Sequence, residues 1–169
     1  MSVITNTTVL SNFASIDQLV LLRQLFTTLH LSTQVYEEIQ RGLDEGYQFY
    51  AGIDQQIAPL VPDGWLRLVS LASDQELHLY GTLPSRLHRG EASCLALAKH
   101  RGWTFLTDDR AARTEATRLN IPVSGSIGCL VLAVERSVVA LDQANAWLAR
   151  MMAHGYRSPV VDLTPLLTV

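Results

Sequence analysis

Short apolar runs alternate with stretches of helical periodicity along most of this chain. Val3-Ile4 is an apolar run closed by Asn6-Thr7-Thr8, which predicts a buried strand followed by a turn. Ser15-Ile16-Asp17-Gln18 has capping-box spacing, and Leu19, Leu22, Leu25 and Phe26 recur at helical intervals after it. Leu29-His30-Leu31 predicts a short strand. Ser32 or Thr33 can cap the next helix, with Val35 and Ile39 on its buried face. From Arg41 to Asp63 the pattern is polar and weakly helical, interrupted by Gly42, Gly46 and Gly52. Pro62-Asp63-Gly64 signals a turn, and Trp65 to Val69 alternates like a strand. Further on the pattern predicts a helix from about Leu87 to His100, a strand over Trp103 to Leu106 and a helix from Ala111 to Leu119. Ile121-Pro122-Val123 predicts a short strand at an edge or a strand start, because proline cannot donate to a ladder. Ser126 can cap a helix through Val134, and a last helix covers Leu141 to Ala153.

Strands alternating with helices predict an α/β fold whose parallel sheet is covered on both faces. In such sheets ligands bind outside the carboxyl ends of the strands. The polar segments Asn6-Thr7-Thr8 and Thr107-Asp108-Asp109 both follow apolar strands directly, so they face one edge of the sheet. The length of 169 residues fits a single domain over 1–169, and no linker divides it.

Composition narrows the function classes. With 48% hydrophobic and 17% charged residues, the chain can fill a core and is not of the disordered type. No run of about 18 apolar residues predicts a membrane span. The first residues lack the pattern of a signal peptide, so a cytoplasmic location is expected. Cys94 and Cys129 lie in apolar helical patterns and read as buried, reduced thiols, and no Cys/His spacing suggests zinc. The net charge of −3 means that a nucleic-acid partner would require a local basic patch, a bridging metal or a second protein.

The candidate chemistry lies in acids placed within apolar patterns, because burying a lone carboxylate is costly. Glu38 follows Val35 near the start of its helix, Glu91 lies in the first turns of another, and Asp108 and Asp109 end a strand and open a helix. Each alone is explained by favourable helix-start electrostatics. Together they can converge on one pocket, where carboxylates repel unless a cation is present. Oxygen-only ligands select magnesium or manganese, and such ions commonly activate water for attack on a phosphodiester.

Five segments carry a family likeness, in order and at family-like intervals. They are Asn6-Thr7-Thr8-Val9-Leu10, Val35-Tyr36-Glu37-Glu38-Ile39, Gly90-Glu91-Ala92-Ser93 through Ala98, Leu106-Thr107-Asp108-Asp109-Arg110-Ala111-Ala112-Arg113, and Ile121-Pro122-Val123-Ser124-Gly125-Ser126-Ile127-Gly128. The chain resembles PIN-domain proteins, specifically the DUF3368 group. The resemblance implies a three-layer α/β/α sandwich with a central, mostly parallel sheet and a magnesium- or manganese-dependent ribonuclease site acting on RNA. It further implies an antitoxin protein as partner, since many relatives are toxins of toxin–antitoxin pairs, and a homo-oligomer. Glu38, Glu91 and Asp109 match the family's metal-binding, catalytic acids, and Thr107 its Thr-x-Asp hydroxyl. Asp108 fills the variable place between and is close enough to contribute to the metal. The departure is Asn6, where PIN enzymes usually carry aspartate; its amide oxygen can still ligate a hard cation but brings no charge. A catalytically silent binding or interaction module is therefore the alternative reading.

Other features weigh less. Arg110 and Arg113 could meet substrate phosphates, but pairing with acids or solvent exposure explains them better. Gly125-Ser126-Ile127-Gly128 could bind a phosphate at a helix start, yet a cap with close helix–strand contact is the simpler reading. Trp65, Trp103 and Trp147 read as core or interface residues. The apolar segment Leu163 to Val169 is expected to pack on the domain or on a second subunit.

Overall fold

The computed structural model describes residues 1–168; Val169 lies outside the described residues. Six strands form one sheet, and every pairing in it is parallel. In chain order they are β1 (Val3–Thr5), β2 (Leu29–Ser32), β3 (Ile57–Ala58), β4 (Leu66–Val69), β5 (Thr104–Leu106) and β6 (Val123–Ser124). Their spatial order is β3-β4-β2-β1-β5-β6. The helices are α1 (Thr7–Ser15), α2 (Leu19–Phe26), α3 (Thr33–Asp44), α4 (Asp74–Thr82), α5 (Arg89–Arg101), α6 (Arg110–Arg118), α7 (Ser126–Glu135) and α8 (Leu141–Ala153). Helices α1, α2, α7 and α8 pack together, and α3, α4 and α6 pack against α5. A three-layer α/β/α sandwich results, as parallel strands with buried faces require.

Burial follows from the apolar runs. Ile4, Leu29, Leu31, Phe105 and Leu106 are closed off between the helical layers, and one hydrophobic cluster spans both. Cys94 and Cys129 are buried and free. Among the described residues no helix is long and apolar enough to cross a membrane.

Several expectations change. The turn expected at Asn6-Thr7-Thr8 is the start of α1, with Asn6 as its N-cap. Ser15 closes α1 and donates to the Asn12 carbonyl at 3.0 Å, so the capping-box spacing at 15–18 is not used. Gln18 instead precedes α2 without a side-chain cap. Gly42 does not interrupt its helix; α3 continues to Asp44, and the segment after it forms the single-turn helices Gln48–Tyr50 and Ile53–Gln56 and then β3. Helix α4 was not anticipated, although Ser73-x-x-Glu76 is a capping box with both bonds formed. Pro122 precedes β6, which is an edge strand as expected.

The chain order places β1 beside β2 on one side and β5 on the other, so the sheet reverses its winding direction at β1. Ligand crevices in open α/β sheets form at such switch points, at the carboxyl ends of the strands. Asn6 and Thr107 are the first residues beyond β1 and β5, whose ends are in register at Thr5 and Leu106.

Candidate functional site

Two hydroxyls and one carboxamide build the floor of the site. Asn6 is buried, and its Nδ2 donates to Thr107 Oγ1 at 2.7 Å. Its Oδ1 accepts from the Thr8 hydroxyl at 2.7 Å and the Thr8 amide at 3.2 Å. Thr107 Oγ1 also accepts from the Asp109 amide at 3.1 Å, and Thr8 Oγ1 accepts from the Asp108 amide at 2.9 Å. The Asn6 side chain thus clamps the end of β1 to the turn after β5. Thr107 is fully buried and shapes this turn rather than facing a substrate. Thr8, absent from the sequence-derived site, was concealed because its segment read as a loop.

The acids occupy three helices. Glu38 lies in the second turn of α3, beyond the reach of the favourable helix-start field expected for it. Its carboxylate is held instead by the Gly90 amide at 3.0 Å and the Thr7 hydroxyl at 3.4 Å. Glu91, 6% exposed, accepts from the His88 amide at 3.0 Å in the first turn of α5. Burial raises its pKa, the neighbouring charges of Asp109 and Glu38 raise it further, and the His88 amide opposes the rise. Asp109 caps α6, its Oδ1 accepting from the Ala112 amide at 2.8 Å. Glu91 therefore lies within the fields of both Asp109 and Glu38 at the carboxyl edge of the sheet. Among the described residues, no three His, Cys, Asp or Glu side chains are grouped so as to hold a metal ion as they stand. The donor chemistry itself, carboxylates beside an amide and hydroxyls, suits a hard cation.

Asp108 is turned elsewhere. Its Oδ1 accepts from the Ser126 amide at 2.8 Å, and its Oδ2 from the Ser126 hydroxyl at 2.5 Å and Asn12 Nδ2 at 2.9 Å. Asp108, expected to be close enough to contribute to a metal, instead spends both carboxylate oxygens on Asn12 and the start of α7. That start carries Asp108 where the sequence left room for a phosphate. Gly125 is required there, since a Cβ would come within 2.4 Å of Asp108 Oδ1. Arg113 donates from Nη1 to the Thr107 carbonyl at 2.9 Å and braces the turn, whereas Arg110, the first residue of α6, is exposed.

Gly90 is the residue whose role the sequence concealed. A Cβ at this position would lie 2.7 Å from both Glu38 carboxylate oxygens. Glu38 sits at the end of a flexible side chain and can retreat, so Gly90→Ala is expected to fold. The helix-propensity gain of about 1 kcal/mol offsets the lost contact. If these acids hold a divalent metal, its affinity is expected to fall about 10- to 100-fold, the usual effect of disturbing a group that orients a ligand. Manganese titration beside thermal denaturation checks both halves.

No curated protein matches this chain. A family model described as DUF3368, a PIN domain, matches residues 2–165, a span that takes in β1 through β6 and all the acids above. By that match and by its parallel α/β/α architecture, the chain belongs to the DUF3368 family of PIN domains, a nuclease-like fold.

Proposed function

We propose that this chain is a divalent-metal-dependent ribonuclease of PIN type, acting in the cytoplasm as the toxin of a toxin–antitoxin pair. Its partners on this reading are RNA, an antitoxin protein and a second copy of the chain. One observation carries the proposal: burial and the charges of Asp109 and Glu38 together destabilise the Glu91 carboxylate at the switch point of the sheet. Mutually repelling carboxylates at a strand-end crevice are relieved by a cation. PIN domains are in general nucleases, which supports the hydrolase class. Glu38, Glu91 and Asp109 would hold Mg²⁺ or Mn²⁺. Such an ion supplies polarisation of a phosphoryl oxygen and a water made acidic enough to act as nucleophile near neutral pH. The chain's own contributions are positional: Gly90 and Thr7 aim Glu38, His88 aims Glu91, and Asn6 with Thr107 fixes the turn that carries Asp109. Purified protein is expected to cleave single-stranded or structured RNA with Mn²⁺ or Mg²⁺, and to bind Mn²⁺ in a calorimetric titration. Absence of both cleavage and binding at millimolar metal would overturn the proposal.

The second reading is a catalytically silent PIN-like binding module. It is favoured by Asn6, whose carboxamide brings no charge and has both ends occupied by protein partners. Asn6→Asp is expected to be accommodated. Thr107 can rotate its hydroxyl to donate to the new carboxylate while still accepting from the Asp109 amide. The added charge is expected to tighten Mn²⁺ by roughly an order of magnitude. A variant that binds metal and cleaves RNA, beside a parent that does neither, would establish the silent reading.

A further inference from the structure

A cleft of about 430 Å³ opens beside Glu38, between α1, α3 and the turn Gln48–Tyr50. Its volume falls within the roughly 300–1,000 Å³ of small-molecule sites. Three aromatic residues form one side. The Phe49 ring lies 4.6 Å from Tyr50 and 5.7 Å from Tyr47 by centroids, and Tyr47 remains 53% exposed. The Tyr47 and Tyr50 rings lie against α3 at buried Gly42, where a Cβ would meet them in ordinary van der Waals contact at 3.4–3.5 Å. The lining is also polar, with Thr8, Ser11 and Asn12 of α1. Arg41 also lines the cleft, and among the described residues it forms no ion pair.

This combination selects a ligand with a flat π face and a polar edge. An aliphatic or lipid chain would press apolar surface onto Glu38, Arg41 and Glu45 at a desolvation cost. A bare phosphate would have no use for the rings and would meet Glu38 and Glu45 in the same lining. A nucleobase satisfies both sides, stacking on aromatic rings and offering donors and acceptors at its edge. We propose that this cleft is a nucleobase subsite. It takes the base of the nucleotide next to the scissile phosphate in single-stranded RNA. Its placement beside the scissile group rests on the ribonuclease reading, because Glu38 belongs both to the acid group and to the cleft wall. A base held in duplex cannot enter, so RNA must be unpaired there.

The test uses the full chain without metal, titrated by NMR with the common nucleoside monophosphates and with ribose 5-phosphate as the base-free control. At least one nucleotide is expected to shift the Gly42 and Tyr47 resonances, and ribose 5-phosphate is not. Tyr47→Ala, at an exposed position, is expected to weaken that nucleotide about 5-fold or more, while Tyr47→Phe keeps it. Shifts equal for ribose 5-phosphate, no shifts with any nucleotide, or Tyr47→Ala binding unchanged would each overturn the subsite. Nucleotide binding requires neither metal nor cleavage, so it survives if the ribonuclease reading fails. Conversely, RNA cleavage whose KM and sequence preference are unmoved by Tyr47→Ala overturns the subsite and leaves the ribonuclease reading standing.

Discussion

Asp109→Asn is expected to reduce metal-dependent RNA cleavage by at least about 100-fold while leaving stability within about 1 kcal/mol. On the proposed ribonuclease reading the two effects separate, because Asp109 would do two jobs with one carboxylate. Its Oδ1 caps α6 through the Ala112 amide, and asparagine caps a helix about as well as aspartate. The negative charge, however, is lost, and with it a ligand at a site asked to supply several kcal/mol of transition-state stabilisation. Asp109→Ala should lose the same activity and also about 1 kcal/mol of stability, because the cap goes with the charge. Initial cleavage rates on a labelled RNA, paired with denaturant titration of both variants, make the comparison. Full cleavage by Asp109→Asn would remove Asp109 from the site. A large drop in its melting temperature would make the role structural.

Arg101→Ala is expected to cost about 3 kcal/mol or more at neutral pH, a fall in Tm of roughly 6–12 °C for a chain of this size. Glu76, 4% exposed, accepts from Arg101 Nε at 2.7 Å and also from the Ala72 and Ser73 amides. The Arg101 guanidinium and these donors hold its pKa near 2, against an ordinary 4.5. Removing Arg101 strands a buried carboxylate and also deletes a bond to the Ser70 carbonyl and a cation–π contact with Trp103. Removing Glu76 should cost less, because Arg101 keeps 28% of its side-chain surface in contact with solvent and can be hydrated. The pH dependence has a definite sign. A carboxylate with a depressed folded-state pKa contributes stability that is complete above 4.5 and is lost as pH falls towards 2. The gap between parent and Arg101→Ala should therefore be widest near neutrality and close in acid, which denaturant titrations at pH 7 and at pH 3 can follow. A gap that is constant with pH would assign the cost to packing and not to the pair.

Local periodicity carried most of the architecture. Val3-Ile4, Leu29-His30-Leu31 and Trp103 to Leu106 announce strands by themselves, because short apolar runs bounded by polar residues have little else to become in a chain of this composition. Glu38, Glu91 and Asp109 were legible as acids in apolar surroundings. The structure brings them within one another's electrostatic reach through Glu91, though not into a finished ligand cage. Helix α1 escaped notice because Asn6, Thr7 and Thr8 have turn chemistry; an N-cap and a turn use the same residue types. Helix α4 announced itself only through Ser73 and Glu76, since its apolar residues form no clear stripe.

The sequence alone determined the alternation of most strands and helices, the parallel sheet and the edge on which polar strand-ends gather, since these follow from short-range pattern and topology. The tertiary structure alone decided what each polar group faces. Asp108 and Asp109 are neighbours with identical side chains, yet one is consumed by Ser126 and Asn12 and the other looks towards Glu91. Gly90 matters because α3 approaches it with Glu38, and Asn6 because β5 delivers Thr107 within 2.7 Å. Such pairings join residues up to 101 positions apart. No local pattern encodes them, because hydrogen bonds and carboxylate fields depend on distances that only packing of the layers establishes.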